Sequence, residues 1–83
     1  MTTSIAALLE DALREIAGPD AEPTSMTVDY GVAAEPVAAQ SLVSKAWIER
    51  STRSLVFAQA EARTVDGAMV AAASAVFRRV IPT

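Results

Sequence analysis

The chain has 83 residues, 52% of them hydrophobic, with seven Lys and Arg against ten Asp and Glu, a formal net charge of −3, and neither cysteine nor histidine. Without cysteine there is no disulfide framework or thiolate, a zinc site would need carboxylates alone, and Ser–His and Cys–His nucleophile pairs are excluded. The acidic balance argues against nucleic acid as a general partner, and no apolar run approaches the roughly 18–20 residues that cross a bilayer.

The first element is the stretch SIAALLEDALREIA, where Ile5, Leu8, Leu9, Ala12, Leu13 and Ile16 share one helical face. Thr3 or Ser4 can cap its start, and Gly18-Pro19 ends it, so the spacing predicts a helix over about residues 4–17. GPDAEPTS follows, and its two prolines and one glycine read as a loop. From MTVDYGV onward the period changes: Met26, Val28, Tyr30 and Val32 alternate with Thr27, Asp29 and Gly31, which predicts a half-buried strand over about 26–33. Pro36 marks a bend. SLVSKAWIE and SLVFAQAEARTV are then strand-like segments over about 41–49 and 54–65, joined by a short RSTR connection.

The last stretch, VDGAMVAAASAVFRRV, satisfies two periods. At helical spacing Met69, Ala72, Ala73, Val76, Phe77 and Val80 form a stripe, and at strand spacing Met69, Ala71, Ala73, Ala75 and Phe77 form a face. Asp66-Gly67 decides between them, because it is a favoured two-residue hairpin turn in which both positions need positive φ. With Val65 set against Ala68, the register places Ala62, Ala60, Ala58 and Val56 opposite Ala71, Ala73, Ala75 and Phe77. All eight are apolar and share one face, a sorting that a slip of one residue would destroy. A strand over about 68–80 is therefore expected.

These elements make one α+β domain: a single helix laid on an antiparallel sheet of about four long strands. The small alanine side chains let the helix lie close to the sheet. The other sheet face is left half polar and at least one edge is left open. A chain this short buries little of its surface, and a mean hydropathy of +0.30 is high for its size. A homodimer is expected, with a tetramer through the second sheet face as an extension. There is no basic region followed by an apolar core at the start, so no secretion signal is expected and a cytoplasmic location is the default. Nothing in the sequence asks for a cofactor.

The order of elements, with SIAALLEDAL, then MTVDYGVAAEP, then long strands ending DGAMVAAASAVF, resembles the hotdog-fold thioesterases, and among them the phenylacetate-pathway type of acyl-CoA thioesterase. The likeness runs over residues 4–80. It implies a helix wrapped by a curved antiparallel sheet, two subunits joined side by side, and acyl thioesters bound at their interface. It also implies that the acidic residue of the family's helix falls on Glu10 within LLEDAL, with Asp11 as second choice. Helical geometry favours Glu10, which sits beside Ala6, Leu13 and Ala17 at the rim of the apolar arc, while Asp11 lies with Glu15 toward water. Members of the family usually carry a first strand and a glycine-containing loop before the helix. Only three residues precede Ser4, so that strand and loop are expected to be lacking. The loop supplies a backbone N–H to the thioester oxygen, a contact worth on the order of 3 kcal/mol in the transition state.

Each candidate has a plainer alternative. Glu10 could be a solvated helix residue paired with Arg14 at i+4, worth only ~0.3 kcal/mol. Arg50 and Arg53, flanking Ser51-Thr52, could hold coenzyme A phosphates, or could simply be a hydrophilic hairpin tip. Arg78-Arg79 reads as a solubilising strand end, and Trp47 as core or interface packing. Ser41, Ser44, Ser51, Thr52 and Ser54 have no histidine to activate them. Two functions follow. One is an acyl-CoA hydrolase or binder with weak or no activity, and the other is a non-catalytic hotdog remnant serving as a dimeric binding or assembly module.

Overall fold

The computed structural model describes residues 4–31 and 42–80. They form one helix, α1 (Ile5–Ala17), and four strands, β1 (Ala21–Tyr30), β2 (Leu42–Ser51), β3 (Leu55–Thr64) and β4 (Met69–Arg79). The strands make one antiparallel sheet in the order β1-β4-β3-β2, and α1 lies on one face of it, chiefly over β2 and β3. Val32 and Pro36 lie outside the described residues. Among the described residues no helix is long and apolar enough to cross a membrane.

The helix starts where Ser4 accepts a hydrogen bond from the Ala7 amide (3.0 Å) and stops where Gly18, at φ 93°, donates its N–H to the Arg14 carbonyl. Its buried side chains are Leu9 and Leu13, each completely enclosed. They rest on Val56, Ala58, Ala60 and Ala62 of β3 and Ala71, Ala73, Ala75 and Phe77 of β4, which form one buried cluster with Val70. Across the two strands Val56 faces Phe77, Ala58 faces Ala75, Ala60 faces Ala73 and Ala62 faces Ala71, the register expected from the sequence. Fully enclosing the two leucines contributes about 1.5–3 kcal/mol each.

The turn between β3 and β4 differs from the expected one. Val65 does not pair with Ala68. The Gly67 N–H donates to the Thr64 carbonyl and the Thr64 N–H to the Ala68 carbonyl, so the loop holds three residues, Val65, Asp66 and Gly67. Only Gly67 has positive φ (98°). A two-residue turn would force Asp66 there as well, whereas a three-residue loop needs only the glycine. The register stays intact beyond it because a bulge absorbs the change: Arg63 faces Met69 while Ala62 faces Ala71, leaving Val70 as the extra residue. The Thr64 hydroxyl, aided by the Asp66 and Ala68 amides, holds the Asp66 carboxyl below the usual carboxylate range.

A second correction concerns the segment after the helix. β1 begins at Ala21, so AEPTS is strand and not loop. Pro23 is tolerated because β1 is an edge strand with a register shift between Pro23 and Ser25, where a missing N–H costs no ladder bond. The Thr24 hydroxyl donates to the Val76 carbonyl (2.9 Å) across that irregularity. Likewise β2 runs on to Ser51, which puts Arg50 in the strand and leaves Arg53-Ser54 as the hairpin tip, closed by Thr52 N–H to the Leu55 carbonyl (2.8 Å).

Two outcomes are expected. Ala60→Leu adds volume beneath α1 where no space exists, and should cost about 1–3 kcal/mol in urea denaturation. Gly67→Val meets no neighbouring atom, so any loss is backbone strain alone, and the same titration should show about 1 kcal/mol or more. A helix after Gly67 would instead make Gly67→Ala neutral or stabilising.

Candidate functional site

Among the described residues no polar or charged side chain is buried, so chemistry on this fold is confined to its surface hollows. One helix cannot cover four strands, and α1 leaves a hollow on each flank. On the β1 side, Glu10 overhangs a depression of about 260 Å³ whose walls include Met26, Ala75, Phe77 and the Pro23–Ser25 backbone stretch. The expected placement of Glu10 at the rim of the apolar arc is met: its side chain is half-buried, while Asp11 is exposed. The carboxylate is also paired as the plainer alternative has it. Glu10 Oε2 accepts from both Arg14 Nε and Nη2 at 2.9 Å, which leaves Oε1 with no hydrogen bond among the described residues.

The arginines lie elsewhere. Arg50 faces Phe57, on the sheet face away from α1, beside a second hollow of about 450 Å³ that also touches Thr27, Gln59 and Ser74. Arg53 stands at the exposed hairpin tip. Neither makes an ion pair among the described residues. Glu10 and Arg50 are therefore separated by the sheet. The structure nonetheless places them at the same end of it, because Pro23, Phe77, Val56 and Ser51 lie in one row and the Arg53 tip follows that row. Arg78 and Arg79 sit there too, so four of the chain's seven basic residues gather at the end where the Glu10 hollow lies.

Arg79 has a role the sequence reading missed. Its guanidinium donates to Ser51 Oγ (2.6 Å) and to the Thr52 carbonyl (3.3 Å), and its backbone N–H to the Ser54 carbonyl (2.8 Å). It ties the end of β4 to the hairpin that carries Arg50 and Arg53. Arg78 pairs with Glu22 across to β1 at 3.2 Å, both side chains well exposed. Only the spacing that puts Arg79 at the strand end, level with the hairpin, could have signalled this. Trp47 is half-buried on the face away from α1 and donates its indole N–H to Glu49 Oε2 (2.9 Å). Ser51 and Thr52 serve the hairpin, Ser44 and Ser54 are exposed, and Ser41 lies outside the described residues.

Comparison with protein-family models, with curated proteins and with solved structures returns no match to this chain.

Arg79→Met keeps the length of the side chain and removes its donors. It should lower stability by about 1 kcal/mol and speed amide exchange at Arg53 and Ser54, with the rest of the sheet unaffected.

Proposed function

We propose that this chain is a hotdog-type acyl-thioester protein, which binds acyl-CoA, hydrolyses it slowly or not at all, and works as a homodimer. One juxtaposition carries the reading: a carboxylate on the helix overhangs an apolar hollow at the same sheet end that gathers four arginines in an otherwise acidic chain. An acyl-CoA has matching halves. Its acyl group is apolar and its nucleotide carries phosphates, which arginine binds through charge-assisted hydrogen bonds. The hollow lies below the usual size of a small-molecule pocket, which suits a short or compact acyl group. The helix preceding an antiparallel sheet, with the first strand at one edge, is also compatible with the hotdog layout.

In this reading Glu10, on turning from Arg14, accepts a proton from water. The water oxygen bonds to the thioester carbonyl carbon, the C–S bond breaks, and the thiolate leaves with the proton returned by the carboxyl group. Arg53 at the tip and Arg50 beyond it hold phosphate. No donor for the developing oxyanion is named, and this is why slow turnover or none is expected.

A second reading, a non-catalytic module for binding or assembly, draws on a specific observation. Arg14 engages Glu10 from two nitrogens, and a carboxylate tied in that way serves the helix surface rather than a substrate.

Hydrolysis and binding should be measured separately on a panel of acyl-CoAs. Glu10→Gln should lower any turnover by ~100-fold while leaving binding in place, and Asp11→Asn should change neither. Arg53→Ala should weaken binding by roughly tenfold in a salt-dependent way. Binding without hydrolysis leaves the binder and removes the enzyme. A chain that binds no acyl-CoA leaves only the assembly module.

A further inference from the structure

β2 is a sheet edge: β3 pairs with one side of it, and no strand among the described residues pairs with the other. The opposite edge, β1, carries Pro23 and an irregularity beside it, features that discourage pairing with another chain. β2 has no proline, and its own irregularity is confined to one end, between Ile48 and Arg50, where Glu49 has no partner on β3. Its sequence over Lys45-Ala46-Trp47-Ile48-Glu49 has a hidden symmetry. Lys45 and Trp47 face away from α1, opposite Glu61 and Gln59, and the indole bond to Glu49 puts that carboxylate on the same face. A lysine and a glutamate thus stand two residues to either side of a tryptophan, on one face of an open edge.

We propose that a second copy of this chain pairs antiparallel along β2, with Trp47 on the two-fold axis. This deepens the self-association within the function proposed above and rests on it. In that register Lys45 of each chain faces Glu49 of the other, so two complementary pairs form, and the two indoles meet between them. On the helix side the same register sets Ala46 against Ile48 of the second copy. Beside Ala46 lies the other flank hollow, about 360 Å³, bounded by Ala12, Glu15, Ile16 and Ser44. Ile48 is 44% exposed and Ile16 39% exposed in the single chain. Pairing brings Ile48 of the second copy to that hollow and removes both isoleucines from water. Charge on one face and apolar volume on the other select the same register. The seam then runs along the flank away from Glu10, which departs from the interface placement of the acyl site that the resemblance implies.

Sedimentation across a concentration series tests this. The unaltered chain should approach twice its 8.7 kDa mass at micromolar concentration. Lys45→Glu and Glu49→Lys each create two like-charge cross-strand pairs, and each should raise the dimer dissociation constant by roughly tenfold or more. Combining the two substitutions should bring it back toward the unaltered value. Circular dichroism of each variant confirms the fold, and Glu49→Lys, which leaves the row of Lys45 and Glu61 untouched, carries the comparison if Lys45→Glu unfolds. A dimer indifferent to either reversal, or not restored by the exchange, overturns the β2 seam while leaving self-association through another surface. A chain monomeric throughout overturns both.

Discussion

The fold depends on how closely a helix can approach two strands. The face that β3 and β4 turn toward α1 is built from alanine at Ala58, Ala60, Ala62, Ala71, Ala73 and Ala75, with larger side chains only at Val56 and Phe77. Six methyl groups in paired rows leave a shallow floor, and Leu9 and Leu13 supply the volume above it. The arrangement lets a helix of 13 residues close one face of the sheet. Its cost is breadth, because a single helix lying chiefly over β2 and β3 cannot cover the whole face of four strands. Met26 and Val28 on β1, and Leu42 and Ala46 on β2, are only partly buried for this reason.

That geometry decides where chemistry can occur. The core of alanines, leucines, valines and Phe77 encloses no polar or charged side chain among the described residues. The hollows of this fold lie on both flanks of α1 and on the opposite sheet face. Its charges are distributed accordingly. Arg50, Arg53, Arg78 and Arg79 gather at one end of the sheet, and Arg79 secures the hairpin that carries two of the others. Part of that positive charge is already answered by Glu22 on Arg78, while Arg50 and Arg53 make no ion pair among the described residues.

Most of the architecture was legible because the chain states it redundantly. Alternation along Val56, Ala58, Ala60 and Ala62 fixes a face, and Asp66-Gly67 fixes a reversal, so their agreement gave the pairing with β4 even though the turn was assigned one residue too short. The bulge at Val70 shows why such an error can be harmless: sheet register is held by the buried face, and the loop adjusts to it. The start of β1 was illegible for the opposite reason. AEPTS has no alternation and one hydrophobic residue, Ala21, and only its place at an edge, a tertiary fact, permits Pro23 in a ladder. The same limit applies to the site. Helical spacing correctly put Glu10 at the rim of the apolar arc and Asp11 toward water. Nothing local could show that Arg50 lies on the other face of the sheet, or that Arg79 would reach Ser51 across 28 residues.

The two flanks of α1 are chemically unlike, and the difference comes from the strands beside them. On one side β1 is irregular, rich in hydroxyls and interrupted by proline, features that disfavour strand pairing, and the hollow beside Glu10 lies along it. On the other side β2 exposes Val43 and Ile48, carries the chain's one tryptophan, and has no strand on its outer edge among the described residues. Exposed apolar surface next to an open ladder is costly in water and has two remedies, charge to repel other strands or a partner to cover the edge. Lys45 and Glu49 would repel a copy of themselves in parallel pairing, because like charges would then align. In antiparallel pairing about Trp47 the same two charges attract. Charges so placed favour one orientation of a like strand over the other, which is the specificity that the proposed β2 seam requires.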